Sequence, residues 1–145
     1  MTEQSPYGQP DPSAGTVHNP YSTQQPQQPS LTPAEERNWS VISHVVALAA
    51  MIFSAGFLGF VGSLVVYLLY KDRGPFVRQN AANSLNIQIM EFIFIVISVP
   101  LMLVLVGFLT AGLAVLFAAV LHVICAIKAN NGEWYTPPFT PRFVK

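Results

Sequence analysis

Between Trp39 and Tyr70 the chain runs for 32 residues without Asp, Glu, Lys or Arg. About 20 apolar residues suffice to cross a bilayer, so a stretch of this length places the chain in a membrane. It is too long for one simple crossing. At 1.5 Å per residue a straight helix would reach about 48 Å, against about 30 Å of hydrocarbon. The stretch is therefore one steeply tilted helix or two short helices folded back on each other. A second run, Phe92 to Ile127, is 36 residues long and poses the same choice.

Charge distribution supports the membrane reading. Charged residues make up 10% of the 145, far below the roughly 25% of a soluble domain. From Trp39 to Ile127 the only ones are Lys71, Asp72, Arg73, Arg78 and Glu91. One membrane domain and one tail account for the length. Residues 1–31 are rich in Pro and Gln and hold no apolar cluster able to form a core, which predicts a disordered cytoplasmic tail. They also lack the apolar centre of a signal peptide, so the first hydrophobic segment is expected to remain and direct insertion.

Local signals set the helices. Thr32-Pro33-Ala34-Glu35 reads as a capping box with Pro at the first helical position, and Trp39 marks the membrane interface. Helix 1 is expected over 33–54. Gly56, Gly59 and Gly62 fall near the middle of the run, which predicts a turn at 55–57 and a second helix over 57–71, with Gly59 and Gly62 at close helix contacts. The polar loop Lys71-Asp72-Arg73-Gly74-Pro75 leads to helix 3 over 76–107. Gly107, Thr110 and Gly112 predict a second turn at 107–110, with Pro100 kinking helix 3 rather than ending it. Helix 4 is expected over 110–129, with Ala111, Ala114, Ala118 and Cys125 as a small-residue face; a short interfacial segment ends the 32–145 domain.

The expected fold class is therefore all-α, an integral membrane four-helix bundle of two helical hairpins with a disordered N-terminal tail. Basic residues cluster in 71–78 and again from Lys128 onward, and basic loops favour the cytoplasmic side. Three helices also satisfy that bias but would place the N-terminus outside. Two overlong runs, each with central glycines, favour four. Both termini are then cytoplasmic, in a multi-pass protein of the cell membrane.

Four helices carry a consequence for chemistry. His44 lies five residues past Trp39, Glu91 six past Leu85, and His122 six before Lys128. Each is then roughly 8–9 Å inside the cytoplasmic boundary. With Asn86 and Gln88 nearby, His44, Glu91 and His122 form a candidate intramembrane polar layer. Ionisable groups at such depth are costly and mark function by default. The layer either joins helices by hydrogen bonds or handles protons or a cation. Asn80, Ser84, Gln88 and Glu91 recur at spacings of 4, 4 and 3 and share one helical face.

No motif points to an enzyme, a cofactor or a metal: there is no phosphate-binding glycine loop, no His-Glu-x-x-His and no nucleophile elbow. The two histidines and the glutamate sit on three different helices with no metal-ligand spacing. The lone Cys125 forms no intrachain disulfide. No basic tract points to nucleic acid. The partners implied are the lipid bilayer and other membrane proteins, or further copies of the chain.

Several segments carry a family resemblance. They are Ser43-His44, Lys71-Asp72 with Gly74-Pro75-Phe76-Val77, Leu85-Asn86-Ile87-Gln88, Ala126-Ile127-Lys128-Ala129-Asn130, Gly132-Glu133-Trp134-Tyr135 and Arg142-Phe143. Together they resemble a widespread prokaryotic membrane domain of unknown function, over about residues 32–145. That domain is similar to the Tic-type helical subunit of the chloroplast inner-envelope import channel. The resemblance implies a four-helix multi-pass fold and no known enzymatic activity. Members often carry His where this chain has Asn80, and acidic residues at Arg78 and Asn83. Two functional readings stand: a non-enzymatic accessory or scaffold subunit, and a channel-like component conducting through an oligomer.

Overall fold

A computed structural model describes residues 29–145. The expectation of a disordered tail falls on residues 1–28, which lie outside the described residues. Four helices follow in order: α1 (Pro33–Phe53), α2 (Gly59–Tyr70), α3 (Pro75–Leu101) and α4 (Val106–Asn130). No strand occurs among the described residues. The helices form two hairpins. Within the bundle α1 and α3 pack on each other and on both α2 and α4, whereas α2 and α4 do not meet. The interior thus lies along α1 and α3.

This bundle is built for lipid. Two helical stretches, Pro75–Val104 and Val106–Asn130, are long and apolar enough to cross a membrane. In a soluble protein such helices would be core helices. Here only 33% and 22% of their most apolar windows are buried. Phe94, Val96, Ile97, Leu103, Leu109 and Leu116 are among many apolar side chains facing outward. Water would not tolerate a continuous apolar surface of this extent.

The first hairpin starts on the expected cap. Thr32 N–H donates to Glu35 Oε2 at 2.8 Å, and Glu35 N–H donates to Thr32 Oγ1 at 3.4 Å. The Thr32 backbone N–H, and after it the Thr32 hydroxyl, which donates to Glu35 Oε2 at 2.7 Å, hold the Glu35 carboxyl below its ordinary range. The turn after α1 satisfies several of its own backbone groups, which lowers the cost of irregular backbone at membrane depth. Ala55 and Gly56 take positive φ of 54° and 101°, and Gly56 N–H donates to Met51 O at 2.8 Å. Ser54 Oγ donates to Ala50 O at 2.6 Å and accepts from Leu58 N–H at 2.7 Å, so it ties the end of α1 to the start of α2. With 12 residues, α2 is only about 18 Å long. Beyond the depth of this turn, α3 and α4 continue as a pair.

The second turn differs from the expected one. It lies at 102–105, not 107–110: Met102–Val104 form a single 3-10 turn, and Leu105 takes the left-handed conformation with φ 65°. Pro100 lies in the last turn of α3, which ends at Leu101, so it precedes a helix end rather than kinking a continuous helix. The reason is steric. Gly107 does not bend the chain; it allows close approach. A Cβ there would collide with the Ser98 carbonyl oxygen and the Met102 backbone nitrogen. Thr110 sits on α4, its hydroxyl 2.7 Å from that of Ser98, and so joins the two helices below the turn.

A contact with no obvious sequence signal fixes how α1 meets α3. Glu36 Oε2 accepts from the N–H groups of Phe76 at 2.8 Å and Val77 at 3.0 Å. A side chain from one helix thus caps the N-terminus of another. Gly74 permits it, because a Cβ there would run into the Glu36 carboxyl group. Glu36→Ala should strip both donors of their partner and lower stability by about 1–2 kcal/mol. Thermal unfolding of the full chain in detergent, followed by helical circular dichroism, checks this; an unchanged midpoint would discard the cap.

Candidate functional site

The polar groups of the interior form a column along the inner face of α3. Asn80, Ser84, Gln88 and Glu91 are all buried, as their shared helical face implies. Asn80 Nδ2 donates to Phe76 O within its own helix at 3.0 Å. Ser84 Oγ donates to Ser43 O on α1 at 2.9 Å and lies 3.0 Å from Ser63 Oγ on α2. Ser43 Oγ in turn donates to Ser40 O at 2.7 Å. Three helices are thus joined by hydroxyls. The Ser63 and Ser84 hydroxyls carry the links between helices, whereas the Ser43 hydroxyl stays within α1 and its carbonyl receives Ser84.

One turn deeper the histidines meet. His44 Nδ1 and His122 Nδ1 are 3.1 Å apart, and Gln88 Nε2 lies 2.9 Å from His122 Nε2. This links α1, α4 and α3 at one depth. Facing nitrogens can share a hydrogen bond only if one ring carries the proton and the other does not. If Gln88 Nε2–H donates to His122 Nε2, then His122 Nδ1–H must donate to His44 Nδ1. His44 then presents an N–H at Nε2. Turning the Gln88 amide over reverses every role in the chain. The pair is therefore a coupled unit, whose tautomers are set together by one amide. Gln88 Nε2 also lies 3.6 Å from Met51 Sδ. Gly59 makes room for this amide, since a Cβ there would overlap Gln88 Oε1.

Glu91 follows Gln88 by three residues, about 4.5 Å deeper. It is 1% exposed and sits beneath the first hairpin's turn, where its Oε1 would be 3.0 Å from a Cβ on Gly56. Both of its oxygens, Gln88 Oε1, His44 Nε2 and Ser40 Oγ lack a hydrogen-bond partner among the described residues. Unpartnered buried polar atoms are expensive, most of all on an ionisable group.

Four of the five residues of the candidate layer are thus gathered: His44, Gln88 and His122 in contact, and Glu91 next to them. Asn86 is not among them. Two residues from Gln88 on a helix, it faces another way, where its Nδ2 donates to Val144 O at 2.9 Å and its Oδ1 accepts from Val144 N–H at 2.8 Å. It belongs to a second amide face with Gln79 and Asn83, both of which donate to Tyr135 O. These amides clasp the C-terminal segment to α3. Among the described residues no group of three His, Cys, Asp or Glu is placed to hold a metal ion.

A small helical bundle with a lipid-facing exterior and a hydrogen-bonded polar interior is an integral membrane protein. Over residues 35–144 the chain matches the magnetosome magnetite crystal formation protein family. The chain belongs to that family. No curated protein and no solved structure matches it.

Proposed function

We propose that this protein is a non-enzymatic accessory or scaffold subunit of the membrane around a forming magnetite crystal. The observation that carries the reading is the direction of its polar groups. The histidine pair and the serine hydroxyls are spent on joining α1, α2, α3 and α4 to one another. Outward, the chain offers apolar side chains along α3 and α4 beyond the first hairpin, such as Phe94, Ile97, Phe108 and Leu109. Such a face suits lateral packing on lipid, on other membrane proteins or on another copy. The family supplies the setting. In this reading all four helices lie in the membrane and both chain ends face the cytoplasm.

The unpartnered atoms of Glu91 and Gln88 favour a second reading, a channel-like component that conducts through an oligomer. Photo-crosslinkers at Phe94 and Leu109 in native membranes separate the two. Capture of membrane partners from these sites, together with unchanged ion flux in vesicles bearing Glu91→Gln, supports the scaffold. Loss of flux in Glu91→Gln with no lateral partner overturns it.

Orientation has its own check. The native Cys125 is 1% exposed, so background labelling should be low. Cysteines placed at Ser30 and Asn131 are expected to be labelled by impermeant reagents on isolated, sealed crystal-bearing vesicles, whose outer face is the cytoplasmic one. Protection of either until the vesicles are permeabilised would refute a cytoplasmic location for that end.

A further inference from the structure

The open end of the bundle, away from both hairpin turns, carries a feature that the polar column does not use. A broad cavity of about 1480 Å³ lies between the α2–α3 loop, the first turns of α3 and the C-terminal segment. Five cationic side chains line it: Lys71, Arg73, Arg78, Arg142 and Lys145. Asp72 is the one acidic side chain on its wall. The C-terminal segment completes the cavity only because Asn83 and Asn86 hold it against α3. Residues 74 positions apart in sequence, from Lys71 to Lys145, therefore converge.

Several of these cations are held in place by local contacts. Arg142 Nη2 donates to Thr136 Oγ1 at 2.8 Å. Arg78 reaches the Lys145 main-chain oxygen through two long contacts of 3.4 Å. Lys71 Nζ stands 5.9 Å from the centre of the Tyr67 ring. Arg73 donates to Pro29 O at 2.8 Å and also feels Glu35. The guanidinium groups of Arg78 and Arg142, each held through part of its fork, carry further donors that match phosphate oxygens.

The wall of the cavity is also continuous with the lipid-facing surface. Leu68 and Leu69 line it and are 56% and 59% exposed. Below Leu68, Val65 and Val61 follow at helical spacing along the same outward flank of α2, both about half exposed. Tyr70, stacked on Trp39 at 4.0 Å, and Trp134 sit at the same end, as aromatic side chains do at headgroup depth. A cationic cup opening onto an apolar flank has the two-part chemistry of a phospholipid: an anionic phosphodiester above, acyl chains below. A soluble phosphate would use only the first part.

We propose that this cavity is a binding site for the headgroup of an anionic phospholipid from the leaflet at the open end, with its acyl chains along the Val61–Val65–Leu68 flank. The site is independent of the scaffold reading. It would tie the C-terminal segment to the bilayer as well as to α3.

Native mass spectrometry of the detergent-solubilised full chain, titrated with phosphatidylglycerol or phosphatidylcholine, tests it. One phosphatidylglycerol should be retained in preference to phosphatidylcholine. The double variant Arg78→Gln/Arg142→Gln should weaken that retention by about tenfold. Lys128→Gln, which removes a cation outside the cavity, should leave it unchanged. Circular dichroism reports whether the double variant is folded; if it is not, Lys71→Gln decides, with a smaller expected loss. Equal retention of the two lipids overturns the proposal, as does retention unaffected by the cavity variants. Displacement of the lipid by inorganic phosphate at similar concentration would also overturn it, by reducing the site to a soluble-anion site.

Discussion

Gly107→Ala is expected to destabilise the α3–α4 hairpin by about 1–3 kcal/mol, while Gly112→Ala, five residues along the same helix, should be neutral or slightly stabilising. The chemistry of the two changes is identical. In a helix, replacing Gly by Ala recovers roughly 0.5–1 kcal/mol of backbone entropy. At Gly112 nothing lies within 4 Å of the added Cβ, so that gain is unopposed. At Gly107 the added atom meets the Ser98 carbonyl oxygen and the Met102 nitrogen. Both belong to backbone and cannot rotate away as a side-chain tip would. Relief requires α4 to move off the last turn of α3. That shift would also stretch the 2.7 Å contact between Ser98 and Thr110. Unfolding of the full chain in mixed detergent micelles, with both variants side by side, reads the difference. Equal midpoints would mean that the close approach at Gly107 does not hold the turn.

The same turn marks what sequence could and could not tell. The glycines near the middle of each overlong run correctly signalled a fold-back. In the first run the chain bends at Ala55 and Gly56. In the second, glycine proved to be a packing device, and the left-handed residue is Leu105. Sequence offers no means of separating a glycine that bends from one that admits a neighbour, because both need only the missing Cβ. The polar column was legible for a better reason. Helical periodicity alone puts Asn80, Ser84, Gln88 and Glu91 on one face, and uncharged surroundings make such a face conspicuous. Asn86 was drawn into the layer by depth alone; its angular position on α3 assigns it to the C-terminal clasp. Glu36 was invisible because its partners, the N–H groups of Phe76 and Val77, lie some 40 residues away and belong to backbone. The basic cavity was half legible. Its cations were counted as topology signals, but only the clasp brings the loop and the C-terminal segment together.

His122→Leu should lower stability by about 2–3 kcal/mol, more than His44→Leu, and the double variant should cost less than the sum. His122 has two partners: His44 Nδ1 at 3.1 Å and the Gln88 amide at 2.9 Å. Its loss leaves both facing apolar surroundings. Losing His44 leaves only His122 Nδ1 without a partner. With both rings replaced by leucine, only the Gln88 amide is stranded. The expected coupling between the histidines is about 1 kcal/mol, because hydrogen bonds between membrane helices are worth little more than half of that on average and a buried network somewhat more. Asn86→Ala serves as the contrast. It should loosen the C-terminal segment, seen as faster proteolysis near Val144, and add to the histidine effects without coupling. A full double-mutant cycle measured by unfolding in detergent supplies all of these values. Strict additivity of the histidine changes would show that the facing rings do not share a proton, and would remove the structural role assigned to the pair. Coupling present for the histidines and absent for Asn86 would assign the intramembrane layer to His44, His122 and Gln88, with the Asn86 clasp as a separate device on the other face of α3.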